Sequence, residues 1–375
     1  MRILTVNVGS SSLKVALWEA DGEQPISEWK ATSVGTPQAT LVENGREFAR
    51  KPYGDHAASI KALLRRLPKE CGIIAVGHRV VHGGAKHHHA ALLNDAVLAE
   101  LEALVPLSPL HQPPALRVIR ACRAFFPELA QVAVFDTAFH ACLPPRAATY
   151  AVPAAWREAG IRRYGFHGIA CADVVAQLGG ALRSRAIILH LGAGCSANAV
   201  LNGRSIDTTM GFTPLEGLVM GTRSGDLDPG AIIYIQRARR LTVQQLDHSL
   251  NEESGLLGLS EYSADMRELL RRDDPQAVLA VEIFCYRAAK AVAGLTVALG
   301  GLDQIIFSGG IGEHAASVRW QIGALLDSFG VAIDHHWNDC GASVVSRHDS
   351  AVEVRVVYVD EGRRIARETA DLLKH

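Results

Sequence analysis

The 375-residue sequence has no uncharged apolar run long enough to cross a bilayer. Its most apolar late stretch, residues 288–307, is broken by Lys290, several glycines and Asp303, so no membrane span is predicted. It also has no excess of charge of either sign, with 38 Lys+Arg against 39 Asp+Glu and a formal net charge of -1. A global basic field that would attract nucleic acid or anionic lipid is thereby excluded, and any bound anion must be held by local groups. Cysteines are few and unpatterned: seven, at positions 71, 122, 142, 171, 195, 285 and 340, with no C-x-x-C pair. That argues against a disulfide framework or a zinc knuckle and suits a reducing, cytoplasmic setting. The opening MRILTVNVGSSSLKV lacks the apolar stretch of a secretory signal, so secretion is not expected. No low-complexity linker or long charge run divides the chain. The length is enough for one large domain or two, each with a substantial core.

What is present is an alternation of patterns. Residues 3–8, 15–18, 72–81, 131–135, 186–191, 304–307 and 352–359 are rich in Val and Ile and predict strands. Residues 57–67, 94–104, 115–126, 276–299 and 317–329 carry apolar side chains at helical spacing. The predicted class is α/β. An internal echo suggests two domains of one topology. Residues 3–18 read as strand, glycine turn, strand, then a turn at Asp21-Gly22; residues 186–201 repeat this, followed by Asn202-Gly203. Aligning Asn7 with His190 superposes Gly9 on Gly192.

Both hairpin tips are built from small residues. Such a tip leaves backbone N–H groups uncovered, and Ser10, Ser11 and Ser12 add short hydroxyls, with Lys14 a cation in the following strand. A solvated turn and a phosphate cradle both fit this pattern. A third glycine turn, SGGIGEH (residues 308–314), follows a strand and leads into a helix. Its spacing is neither the G-x-G-x-x-G fingerprint nor a P-loop. Two tips and one strand-turn-helix spread over two halves suit a nucleotide held between domains.

Charged residues in apolar settings supply further candidates. Arg79 lies within the strand-like GHRVVHGG (residues 77–84), where a permanent charge needs either a salt bridge or a bound anion. Asp136, the second residue of FDTAFH (residues 135–140), lies at a strand's C-terminal end, where α/β proteins place ligands. His167 sits between Phe166 and Gly168 in YGFHG, and Arg223 is surrounded by small residues in GTRSGDLDPG (residues 221–230). Each has a purely structural reading beside the functional one. His87, His88 and His89 are consecutive and cannot converge on one ion, so they read as a loop, and His78 and His82 are assigned no metal role.

Together, VNVGSSSLK, GHRVVHGG, PLHQP, FDTAFH, YGFHG, HLGAG, TPLEGLVMGTRSGDLDPG, ESGLLGLS, SADMR and FSGGIGEH, in this order, resemble the acetate kinase family within the acetokinase, hexokinase, heat-shock and actin ATPase superfamily. The resemblance implies two duplicated actin-like (ribonuclease H-like) domains, residues 1–140 plus 363–375 and residues 141–362, with an interdomain nucleotide cleft. It implies a homodimer and reversible transfer of the γ-phosphoryl of ATP to a short-chain carboxylate, acetate first and propionate as the alternative. Other small acids, or a non-catalytic nucleotide-dependent protein on the same fold, are the remaining alternatives. Neither nucleic acid nor membrane is an expected partner.

By the same resemblance Arg79, Asp136, His167 and Arg223 are catalytic, and Mg2+ or Mn2+ is held by Asn7 and Glu361. Nucleotide contacts fall to Ser10, Ser12, Lys14, His190, Gly192, Gly194, Asp265, Met266, Arg267, Gly310, Ile311, Gly312 and His314. Arg79, Val81, Leu110, Phe166 and Pro214 form the acid pocket. The chemistry agrees with these roles. A carboxylate nucleophile is already ionised at neutral pH and needs no base, whereas two approaching anions need fixed cations. Asp136 is then an orienting group. Three segments depart from the family pattern: HLGAG has Ala193 where the family has Asn, FHGIAC (residues 166–171) stands for FHGTSH, and DEG (residues 360–362) for NEE.

Overall fold

The computed structural model describes residues 1–9, 12–50, 53–68, 72–109 and 111–374. The chain divides into two compact units. The first comprises Met1–Ala141, Gly168–Asp173 and Asp360–His375; the second comprises Cys142–His167 and Val174–Val359.

The first unit is built on an eight-stranded mixed sheet of β1 (Arg2–Val8), β2 (Leu13–Glu19), β3 (Ser27–Thr32), β4 (Thr40–Glu43), β5 (Arg46–Arg50), β6 (Ile73–Val80), β7 (Ala91–Leu92) and β8 (Ala130–Phe135). Their order is β5-β4-β3-β2-β1-β6-β8-β7. Alternation along β1 sends Leu4, Val6 and Val8 into a core with Ile60 and Val118 of the helices His56–Leu64 and Gln112–Phe125. Ile3, on the other face, joins Trp18, Ala75, Ala366 and Ala370. Ala366 and Ala370 belong to the helix Glu361–Lys374, which lies close against β6 because Gly77 has no side chain there. A Cβ at that position would collide with Thr369 and Ile365. Hence one glycine of the GHRVVHGG motif seats the C-terminal helix, and with it the first helical residue, Glu361.

The second unit carries β9 (Arg185–Leu191), β10 (Cys195–Leu201), β11 (Arg204–Thr208), β12 (Gln304–Ser308) and β13 (Glu353–Val356), ordered β11-β10-β9-β12-β13. The long helix Pro275–Leu299 packs on its first three strands. The order β3-β2-β1-β6-β8 in the first unit is the same topology. In each, an antiparallel hairpin supplies one strand that then pairs in parallel with a later one. The echo in the sequence is therefore a structural duplication. Asn202-Gly203 has φ of 50° and 78°, the backbone of a primed hairpin turn that Asn and Gly tolerate.

Several elements differ from the sequence expectation. Asn44-Gly45 turns an additional hairpin, β4 to β5, with φ of 47° and 79°; this Asn-Gly signal was not used in the sequence reading. SGGIGEH is not a tight turn before a helix. Gly309, at φ 76°, leaves the strand and Gly309–His314 is already helical, its first N–H accepted by the Glu313 side chain at 2.9 Å. The expected strand at 352–359 is shorter, because the Val359 N–H turns away to the same Glu313 carboxylate at 3.1 Å. Among the described residues no helix is long and apolar enough to cross a membrane.

Candidate active site

In the first unit three predicted residues stand at the carboxyl ends of adjacent parallel strands. Val6 pairs with His78 and Arg79 with Val134, so Asn7, Arg79 and Asp136 emerge side by side from β1, β6 and β8. Open α/β sheets characteristically bind ligands at this edge. Arg79 Nε and Nη2 donate to Asp136 Oδ2 at 3.0 and 2.6 Å, and Nη1 donates to Asn7 Oδ1 at 3.1 Å. Asn7 Nδ2 in turn donates to Glu361 Oε2 at 2.6 Å, and Glu361 lies 3.6 Å from Arg79. The structure thus brings together four of the predicted residues, one of them 354 positions away in sequence.

Electrostatics make this group asymmetric. Burial opposes the charge of Arg79, but Asp136 and Glu361 more than offset it, so the guanidinium stays protonated. Asp136 is fully buried, and its Oδ1 makes no hydrogen bond of ordinary geometry. Burial pushes its carboxyl up to about 6, with Glu361 adding to the rise and Arg79 opposing it. Near neutral pH the carboxylate holds the guanidinium with one oxygen, in a fixed orientation. A pH profile of kcat/KM for the acceptor is expected to fall as pH drops through about 6, because Asp136 then takes a proton and Arg79 loses its charged partner. Asp136→Asn is expected to lower the plateau and remove that limb, leaving only the lower titration of the acceptor acid itself. An unchanged limb in the variant would assign it to another group.

The second unit gathers a different set. His167 has φ 58° and ψ 23°, a left-handed backbone uncommon for a side chain of this size, just before the helix Gly168–Leu178. Its Nδ1 is 3.1 Å from Ser196 Oγ, and its ring centroid is 4.8 Å from that of His190. His190 Nδ1 lies 3.2 Å from Ser308 Oγ, as the register of β9 with β12 requires. A Cβ on Gly194 would stand 3.2 Å from His167 Nε2 and 3.6 Å from Arg223 Nη1, and one on Gly192 would stand 3.8 Å from the Gly310 nitrogen. The His167 ring and the Arg223 guanidinium therefore both reach the hairpin tip at Gly194, where a side chain would press on the imidazole. Arg223 Nη1 donates to the Pro214 carbonyl at 3.1 Å, tying the cation to a predicted pocket residue.

Other predicted residues are placed as follows. Val81 and Phe166 are buried, in the first and second units respectively, and Pro214 is half-buried. Lys14 is exposed and Ser12 half-buried at the first hairpin. Asp265 caps the helix Met266–Leu269, accepting from the Arg267 N–H at 2.9 Å and pairing with its guanidinium at 2.5 Å. Met266 is buried, while Gly310 and His314 are exposed, Ile311 half-buried and Gly312 buried. Ser10, Ser11 and Leu110 lie outside the described residues.

A model of the acetokinase family matches residues 2–367. The chain belongs to that family. An acetate kinase of Stutzerimonas stutzeri is 44% identical over 389 residues, covering 99% of this chain and 98% of its own. One of Carboxydothermus hydrogenoformans is 40% identical over 395 residues, covering 100% and 99%. Among solved structures, a propionate kinase from Francisella tularensis superposes with a TM-score of 0.93 at 38% identity and covers 98% of each chain. The Porphyromonas gingivalis acetate kinase gives 0.90 at 34% identity and 99% of each.

Within this acetokinase chain the departures acquire physical content. Ala193 is exposed at the hairpin tip, and its carbonyl accepts from the Gly221 N–H at 3.0 Å. In place of FHGTSH, Ile169, Ala170 and Cys171 are buried apolar groups, and the Ile169 N–H is what they contribute to Asp136. Gly362 packs where a Cβ would stand 3.1 Å from Trp18, and Asp360 Oδ1 accepts from the Gly362 and Arg363 N–H groups at 2.9 and 3.3 Å. Asp360 is therefore the cap of the C-terminal helix, and Glu361 is the carboxylate this segment turns toward Asn7. Sequence reading missed Ser196 and Ser308, the hydroxyls beside the two histidines, although both lie within quoted motifs or next to them.

Proposed function

We propose that this chain transfers the γ-phosphoryl of ATP to acetate, reversibly, with propionate as a second acceptor. The observation that carries this reading is the Arg79 group: a half-buried, permanently charged fork whose Nε edge is fixed by Asp136, at the carboxyl edge of a sheet. A carboxylate acceptor matches a guanidinium in a bidentate way, and its negative charge makes a general base unnecessary. Arg223 and His167 serve the other reactant. Both groups lie beside Gly194, and in this reading they offset the charge that spreads over the transferring phosphoryl oxygens. By the family resemblance Val81, Leu110, Phe166 and Pro214 serve the acid's alkyl end, and four bulky apolar groups favour a methyl or an ethyl. Asp265 to Arg267 and Gly310 to His314 serve the adenosine side, and Ser10, Ser12 and Lys14, with His190, Gly192 and Gly194, the phosphates.

The Asn7 and Glu361 pair fits magnesium in its chemistry, since both offer hard oxygens and Glu361 is partly exposed. Those two residues would hold the ion, which when bound would offset phosphate charge. Asn7 and Arg79 share a hydrogen bond, so this chain's own part is to keep carboxylate grip and metal ligand in one rigid cluster.

The helix Pro229–Arg239 buries none of its residues and exposes Ile233, Tyr234 and Ile235, which supports a homodimer through the second unit. The described cysteines, all unpaired, suit the cytoplasm. Acyl phosphate trapped as hydroxamate is expected with ATP, magnesium and acetate. The ratio of kcat/KM between acetate and propionate is expected to lie within about 200-fold, the range one methylene allows. Light scattering of the same preparation is expected to give two chains. No hydroxamate from either acid would overturn the activity, and a single chain would overturn the dimer.

A further inference from the structure

The loop that follows β11 and carries Pro214 is fastened by a network outside the predicted site. Thr209 continues the sheet edge, its N–H donating to the Ala197 carbonyl and its hydroxyl oxygen accepting from the Ala197 N–H, and Gly217 returns against it at φ 109°, so the ends of the loop meet. Between them, Arg163 Nη1 donates to the carbonyls of Thr208, Thr209 and Met210 at 2.9, 2.9 and 3.2 Å. Its Nη2 donates to Glu216 Oε1 at 2.6 Å. Tyr150 donates its hydroxyl hydrogen to Glu216 Oε2, and its oxygen accepts from the Phe212 N–H at 2.9 Å. Gly211 lies directly against Tyr150 and Glu216, leaving no space for a side chain.

The same loop holds the segment that carries the unit's other candidates. The Gly211 carbonyl accepts from the N–H groups of both Tyr164 and Gly165, at 3.0 and 3.3 Å, immediately before Phe166 and His167. The Pro214 carbonyl accepts from Arg223. Two acid-pocket residues, together with His167 and Arg223, are thus positioned by one loop, and that loop is itself held by three side chains making six hydrogen bonds.

We infer that Tyr150, Arg163 and Glu216 are positioning residues that set the acid-size selectivity of this enzyme, by fixing where Pro214 and Phe166 stand. The inference rests on the carboxylate kinase reading for its kinetic consequence, but its structural half stands alone. Tyr150→Phe removes the acceptor of the Phe212 N–H and the donor to Glu216 while keeping the ring, so the fold is expected to survive. Glu216→Gln keeps the shape and removes the charge that pairs with Arg163.

Two measurements separate the outcomes. Hydrogen–deuterium exchange of the intact protein is expected to quicken in peptides covering residues 161–168 and 208–217 of Tyr150→Phe, with residues 186–195 unchanged. In the same variants the propionate-to-acetate ratio of kcat/KM is expected to shift about fivefold, and KM for acetate to rise by more than KM for ATP, as small displacements of a pocket wall affect acceptor and nucleotide unequally. Unchanged exchange in those peptides would overturn the fastening role. Quickened exchange with an unaltered acid ratio, or with equal changes in both KM values, would overturn the selectivity role. Should the unmodified enzyme phosphorylate no acid, the activity reading fails, and the exchange result still decides whether the network holds the loop.

Discussion

Replacing Arg223 by alanine is expected to lower kcat about a thousandfold while changing KM for ATP less than about threefold, because in the proposed role its charge meets oxygens that gain negative character only during transfer. The side chain is half-buried, anchored by one nitrogen to the Pro214 carbonyl and adjacent to the open tip at Gly194. A group so placed loses little on truncation except what it stabilises in flight. Arg223→Lys is expected to recover only part of the rate, since a point charge lacks the planar fork. The decisive comparison is single-turnover kcat against ATP affinity measured by equilibrium binding. Parallel losses in both would mean that Arg223 binds the nucleotide in its ground state and has no special part in transfer.

Arg79→Ala is expected to have an equally large effect with a different signature. Catalytic efficiency for the acid is expected to fall by about three orders of magnitude, with much of the loss in KM for acetate, since in the proposed role the guanidinium grips the acceptor before and during transfer. Stability is expected to suffer as well, by about 3 kcal/mol, because the change leaves a fully buried carboxylate without its cation. Asp136 would then hold a proton more tightly, its remaining charged neighbour being Glu361. The double variant Arg79→Ala with Asp136→Asn is accordingly expected to regain stability but not activity. Thermal unfolding together with acetate saturation curves checks both halves. A single variant as stable as the unmodified chain would show that Asp136 finds another partner.

The two arginines were legible in the sequence for different reasons. Arg79 stood out because a permanent charge inside a Val-rich strand demands a partner, and FDTAFH supplied one after another strand. Arg223 stood out only through the small residues around it and through the family resemblance. His167 was visible as a histidine beside glycine, but its left-handed backbone was not, because φ at a non-glycine residue is imposed by the surrounding structure. Glu361 illustrates the limit most directly. Its partner Asn7 lies at the other end of the chain, and they meet because Gly77 lets a helix settle on β6 and Asp360 caps that helix. No local pattern encodes that meeting.

Tyr150, Arg163 and Glu216 went unnoticed for a related reason. Each looks like an ordinary surface-capable residue in a loop, and their importance comes from a convergence of three chain segments. The glycine-rich motif at 308–314 was misread as a turn because its helical state depends on Glu313, whose side chain accepts an N–H from its own helix start and another from Val359.

By itself the sequence determined the α/β class, the duplicated hairpin topology, the absence of a charge field and the presence of arginines in apolar or small-residue settings, since these follow from periodicity, turn chemistry and composition, which act over a few residues. Only the tertiary structure decided which carboxylate faces which guanidinium, which carboxyl is buried deeply enough to be pushed up to about 6, and which loop three side chains fasten. Parallel strands and a returning C-terminal helix bring together residues far apart in the chain. Dielectric and hydrogen-bond geometry at those meetings are properties of the packed fold, not of any segment.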